Sequence, residues 1–355
     1  MVIKVPLCYA TPSCGMHKNH TLPMKLEAIA QAGFDSIELG MPDLQAYAQQ
    51  QLGSSFTPLS EEDGSGDLRS LIKIAEEVKQ LCQDLKLEIL CLQPFSQFEG
   101  YKDDNKREAR LRKAKVWMDV MEALGTDMLQ VGSTDDKEST SDRETIVQDL
   151  TELADLAAKR GMRIGYEMWC WAAHNDTWKD IWEICKAVDR PNFGLCLDTF
   201  QITGREWADP SEPDGLLAGF ASAEERNAAL TKSLNELSTT IPADKIFYFQ
   251  ISDAQKMNPP INEKHPAWDG ETPARGLWSH DYRPLPYQTD KGAYLPVEEC
   301  TAAVLKTGYR GPFSYEVFYG EDMSKDDPKV PERWAQDSMK CHKRLMEACE
   351  KLIAA

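Results

Sequence analysis

Short apolar runs alternate along the chain with longer stretches in which apolar residues recur every three or four positions, the periods of buried strands and amphipathic helices. The runs that read as strands are Ile3–Leu7 (interrupted by Pro6), Ser36–Leu39, Leu87–Leu92, Met128–Val131, Arg163–Tyr166, Phe193–Leu197, Ile246–Phe249 and Phe313–Tyr315. Helical patterns cover Leu22–Ala32, Leu68–Leu85, Lys106–Leu124, Ser141–Arg160, Asp176–Val188, Ala223–Leu237, Pro296–Thr307 and a closing Pro331–Ile353. In the second of these, Leu71, Ile74, Ala75, Val78 and Leu81 fall on one face. Ser141 and Glu144 have capping-box spacing, and Gly33, Gly125, Gly161 and Gly308 stand where helices should stop.

Strands that alternate with helices imply a parallel sheet covered on its faces. Eight such units in one chain favour a closed (β/α)8 barrel over a doubly wound sheet, with residues 1–355 as a single domain. Two stretches break the rhythm, at about 201–221 and 252–294. The second is rich in Pro, Trp, His and Arg and reads as an ordered lid, since long loops in compact domains are usually functional.

Composition narrows the partners. A net charge of −18 repels a phosphate backbone or an anionic membrane face, so neither nucleic acid nor membrane is expected. The ten cysteines form no CxxC pair, and several lie inside apolar runs. They read as buried, reduced thiols of a cytoplasmic protein rather than a disulfide framework. No secretory h-region and no apolar stretch of the ~20 residues a membrane helix needs is apparent.

The chemistry gathers at the ends of the last four strands: Glu167 (GYEMW), Asp198 (CLDTF), Gln250 (YFQIS) and Glu316 (SYEVF). In a (β/α)8 barrel these positions converge on the C-terminal mouth, where active sites lie. Three carboxylates packed together raise one another's pKa unless a cation joins them, and no Lys or Arg stands at a matching strand end. Oxygen donors without a strand-end histidine point to Mg²⁺ or Mn²⁺, with Co²⁺ open, and away from zinc. Arg205, Arg275, Arg283 and Lys291 are the basic loop residues that can anchor an anionic small-molecule substrate. Gln93 and Phe95 close the third strand, and His174, after the fifth, is a candidate proton carrier. Of the other histidines, His265 and His280 lie in the strand-seven loop, and His342 on the closing helix reads as structural.

Glu167, Asp198, Gln250 and Glu316 resemble the metal quartet of the xylose-isomerase-like barrels, the sugar-phosphate isomerase/epimerase superfamily; Glu167 and Asp198 are 31 positions apart, as in that pattern. The segments CLQPFSQFEG, FGLCLDTFQITGREWADP and DKGAYLPVEE are similar to fungal 3-dehydroshikimate dehydratases of quinate catabolism. The resemblance implies a hydro-lyase that turns 3-dehydroshikimate into protocatechuate through a metal-stabilised enolate, with Glu167 and Glu316 moving protons. Glutamine at position 250 matches the dehydratases better than the histidine of many relatives. Gln201, a substrate-side residue, stands where bacterial relatives can carry a histidine, and glutamine cannot titrate. The rival readings are a sugar isomerase or epimerase on the same barrel and a barrel that binds its ligand without turnover. A DNA-repair endonuclease would need a histidine-rich zinc cluster and a basic surface. Barrels of this type often associate, so a homo-oligomer is open.

Overall fold

A computed structural model describes residues 3–354. Its parallel strands are β1 (Leu7–Ala10), β2 (Ser36–Gly40), β3 (Glu88–Phe95), β4 (Met128–Gly132), β5 (Arg163–Glu167), β6 (Phe193–Asp198), β7 (Ile246–Ile251) and β8 (Phe313–Tyr315). They pair in sequence order, and β8 bonds to both β7 and β1, which closes the barrel.

Side chains alternate across each strand. Outward residues such as Ile37, Leu129, Val131, Tyr166, Leu195, Phe249 and Phe313 pack against the helices in the main core. Inward residues Cys91, Met128, Cys196 and Tyr248 form a separate small cluster that plugs the barrel. One step nearer the mouth the inward set turns polar: Glu38, Gln130, Glu167, Asp198, Gln250 and Ser314, all buried. All ten cysteines are free and buried, as expected of packing thiols.

Several expected boundaries move. The first strand is Leu7–Ala10 rather than Ile3–Leu7. Pro6 has no N–H to give to a ladder, and pairing to β2 begins at Cys8. Asp142, not Ser141, caps the helix Arg143–Ala158, its carboxylate accepting from the Thr145 N–H. A helix at Met41–Leu52 was not expected, because its glutamine-rich sequence buries only Met41, Leu44 and Ala48. The stretch 201–221 opens inside a helix, Thr199–Glu206, and 252–294 carries another, Ala274–Asp281. After that helix, Tyr282–Arg283 pairs antiparallel with Phe318–Tyr319, tying the long loop across the mouth to the segment after β8. Among the described residues no helix is long and apolar enough to cross a membrane.

Candidate functional site

Glu167 ends β5, Asp198 ends β6, and Glu316 follows β8, so each projects into the C-terminal mouth. One carboxylate oxygen from each lies within 4.8 Å of the others, a grouping able to hold a metal ion. All three are buried, Glu316 the least so at 8% exposure against 2% for Glu167 and 0% for Asp198.

Each carboxylate is held differently. Among the described residues Glu167 accepts from three neutral donors: Gln130 Nε2, Trp169 Nε1 at 3.2 Å and Gln201 Nε2 at 3.4 Å. Gly132 makes the indole contact possible, since a Cβ there would lie 2.2 Å from the Trp169 ring. Asp198 caps its own helix through the Phe200 N–H at 2.6 Å and takes Arg283 Nη2 on its other oxygen at 2.6 Å. Glu316 accepts from Arg283 Nη1 at 2.9 Å and Gln93 Nε2 at 3.3 Å.

Burial raises all three pKa values. Glu167 is pushed well above the usual carboxylate range by burial and then by the charges of Glu316 and Asp198. Asp198 rises through burial against the pull of Arg283. Glu316 rises to about 7 through burial, with Arg283 again opposing. Like charges and low polarity thus favour protonation here unless positive charge compensates. Oxygen donors in this arrangement match a hard divalent cation.

The structure gathers Gln93, Gln201, Gln250 and Arg283 with the triad and sends the other nominated residues elsewhere. Gln250 is fully buried beside Glu316, its Nε2 donating to Glu38 at 2.9 Å. Arg205 pairs with Asp176 at 2.7 Å. Arg275 braces the preceding loop through the Gly204 and Ala208 carbonyls and Asp209. Lys291 sits near Asp290 and over the Trp334 ring. His174 is exposed, its ring on the Ser139 carbonyl at 2.9 Å, and it bonds to none of the three carboxylates. Of the other histidines, His265 is bonded within its own loop and His342 is half-buried beside Tyr315.

Arg283 is the basic partner that the strand ends lacked. It arrives from the long loop and is 1% exposed, its guanidinium 4.6 Å from the Phe200 ring centre. Sequence reasoning also missed Glu38, Gln130 and Trp169. Glu38 and Gln130 look like the solvent face of alternating strands, but in a closed barrel that face is the interior. Their only signal was a polar residue inside an apolar run.

The family described as xylose isomerase-like TIM barrel matches residues 26–345. A 3-dehydroshikimate dehydratase of Neurospora crassa is 36% identical over 324 residues, covering 89% of this chain and 86% of the relative. A 3-dehydroshikimate dehydratase of Pseudomonas putida is 33% identical over 84% of this chain, which spans only 36% of that protein's length. Among solved structures, a xylose isomerase-like TIM barrel/4-hydroxyphenylpyruvate dioxygenase fusion protein is 30% identical with a TM-score of 0.70, over 96% of this chain and 43% of that one. The IOLI protein, solved with a zinc atom, shares the fold at 19% identity and a TM-score of 0.66, over 96% of this chain and 98% of that one. The sequence of strands, the carboxylates at their ends and these likenesses agree: the chain belongs to the xylose isomerase-like TIM barrel family.

Proposed function

We propose that this chain is a hydro-lyase that dehydrates 3-dehydroshikimate to protocatechuate. The observation that carries the reading is the convergence of Glu167, Asp198 and Glu316 in a chain 36% identical to a fungal dehydratase over nearly its whole length. Glu167, Asp198, Gln250 and Glu316 would hold one divalent ion, Mg²⁺ or Mn²⁺ by their oxygen-only donor set. Such an ion supplies Lewis acidity that polarises the substrate carbonyl.

The chain's own groups divide the remaining work. The reaction removes a proton beside the carbonyl and a hydroxyl group from the ring, which leave together as water, and the ring then aromatises. Glu316 is the proton carrier: it is the most accessible of the three carboxylates, and its oxygens are held by Arg283 and Gln93 at the mouth. Glu167, fixed by three neutral donors, holds position instead. Gln201 cannot titrate; its carbonyl accepts the Cys170 N–H at 2.9 Å, so its amide is oriented to steady Glu167. Arg283 is the one nominated cation inside the mouth, and its Nη2, which gives one N–H to Asp198, keeps a second for the anionic substrate; Arg205, Arg275 and Lys291 lie away from the mouth on other partners.

The test is absorbance-monitored formation of protocatechuate from 3-dehydroshikimate, with EDTA and with added Mg²⁺ or Mn²⁺. Metal-dependent product is expected, with Glu316→Gln lowering kcat by about 10²- to 10⁴-fold. A folded protein that forms no product with any of these metals overturns the reading. Ligand binding without turnover would make the barrel a binding protein.

A further inference from the structure

Every oxygen of the three mouth carboxylates already has a donor. Glu167 Oε2 accepts from Gln130 and Trp169, and its Oε1 from Gln201 at 3.4 Å. Asp198 Oδ1 accepts the Phe200 N–H, and Glu316 Oε1 accepts from Gln93 Nε2. The remaining two oxygens, Asp198 Oδ2 and Glu316 Oε2, both go to Arg283, at 2.6 and 2.9 Å. A divalent ion that enters this triad must therefore share oxygens with donors that are there already. Sharing is possible, because an ionised carboxylate has about four lone-pair sites. The amides, the indole and the backbone N–H are neutral and oppose the ion little. The guanidinium carries a full positive charge and opposes it directly.

Arg283 is also fixed in place. Its Nε donates to Ser252 Oγ at 2.9 Å, and its guanidinium packs 4.6 Å from the Phe200 ring centre and 5.4 Å from that of Phe318. Its backbone pairs with Phe318, and the residue is 1% exposed. A cation held in this way stays where it is when a second cation arrives. Its charge reaches Glu167 as well as the two acids that it touches. Three carboxylates, one guanidinium and one divalent ion sum to zero charge. The same loaded site without Arg283 keeps one negative charge, which would repel an anionic substrate. The arginine thus favours the substrate at the expense of the ion.

We propose that Arg283 is a resident counter-cation that shares Asp198 and Glu316 with the divalent ion and holds down the affinity for that ion. This rests on the metal reading above.

The experiment is Mn²⁺ titration of chelator-stripped protein at pH 8, where protons compete less for the carboxylates, followed by the signal of free Mn²⁺. It uses wild type, Arg283→Met, Arg283→Gln and Arg283→Lys, with circular dichroism in EDTA as the control for folding. The two neutral variants are expected to bind Mn²⁺ about 10- to 100-fold more tightly than wild type, because a unit charge close to the ion has been removed. Arg283→Lys keeps the charge and is expected to stay within about threefold of wild type. Damage to the fold weakens binding, so tightening is a result that a merely structural role does not produce. Arg283→Gln retains an amide donor for one of the carboxylates and is the variant read should Arg283→Met not fold. Unchanged or weaker Mn²⁺ binding in a folded neutral variant overturns the proposal. So does tightening in Arg283→Lys equal to that in Arg283→Met, because charge would then not be the cause. If neither neutral variant folds even with Mn²⁺ present, Arg283 is a structural requirement and the proposal is likewise overturned. Wild type that binds no Mn²⁺ refutes the metal reading itself, and the proposal falls with it.

Discussion

Arg283 brings a full positive charge into a site with almost no solvent, and each of its three nitrogens has a partner there: Nε donates to Ser252, Nη1 to Glu316 and Nη2 to Asp198. A buried charge pair is costly to break from one side, because the surviving partner is left uncompensated. In metal-free protein, Arg283→Met is therefore expected to lower stability by about 3–5 kcal/mol at pH 8, read by denaturant unfolding. At pH 5 the loss is expected to be smaller, because Asp198 and Glu316, already raised, then take up protons instead. Arg283→Lys keeps the charge but not the planar fork and is expected to fall between. A loss that is equal at both pH values would show that packing over Phe200 and Phe318, not charge, is what Arg283 contributes. This residue also marks a limit of sequence reading. Its basic character was visible, but its partners stand 85 and 33 positions away, and only the path of the long loop brings them together.

The loop that carries Arg283 is pinned at its base by one side chain. Asp253, just beyond β7, accepts on a single oxygen from the N–H groups of Ala254, Tyr294 and Leu295, at 2.7, 2.8 and 2.7 Å. The two ends of a forty-residue excursion thus meet on one atom. Asn offers an oxygen in the same place, whereas Ala leaves three donors without a partner, at about 1–3 kcal/mol for each that stays buried. Asp253→Asn is expected to melt near wild type, and Asp253→Ala well below it, with early proteolysis between residues 254 and 294. Similar stability of the two variants would deny Asp253 this clamping role. At this scale the sequence was most legible where the period was clear: β8 and the helix Leu22–Ala32 lie where the pattern places them. The loop interior was not, because the helix Ala274–Asp281 is short and its pairing partner for Tyr282–Arg283 comes from beyond β8. The strand-end residues could be read because an apolar run that stops at a carboxylate is costly to bury. Glu38 could not, because SIEL reads equally well as a strand with one wet face.

Across the whole molecule, the buried acids couple stability to pH and to metal. Glu316 and Asp253 are raised to about 7 and Glu38 to about 8, in each case by burial first. An acid whose folded pKa lies above its unfolded value keeps a proton in the folded chain that the unfolded chain has already released. Its contribution to stability is then largest at low pH and declines as pH rises towards the folded pKa. Histidines partly withdrawn from water act in the opposite sense, as with half-buried His342, lowered to about 4 by desolvation. They matter at lower pH, because above about 7 a histidine is mostly neutral in both states. Between about pH 7 and 8 the acids and the buried thiols, whose pKa values burial also raises, set a slope of one sign, so the melting temperature in EDTA is expected to fall over that interval. A divalent ion needs Glu167 and Glu316 deprotonated, so its binding competes with protons and strengthens as pH rises. Bound ion stabilises the folded state by mass action, so saturating Mn²⁺ is expected to raise the melting temperature more at pH 8 than at pH 7. The downward slope should then flatten or reverse. Parallel slopes with and without Mn²⁺ would mean that the ion, if bound, does not compete with protons at Glu167, Asp198 and Glu316, and would place the metal somewhere other than the mouth of the barrel.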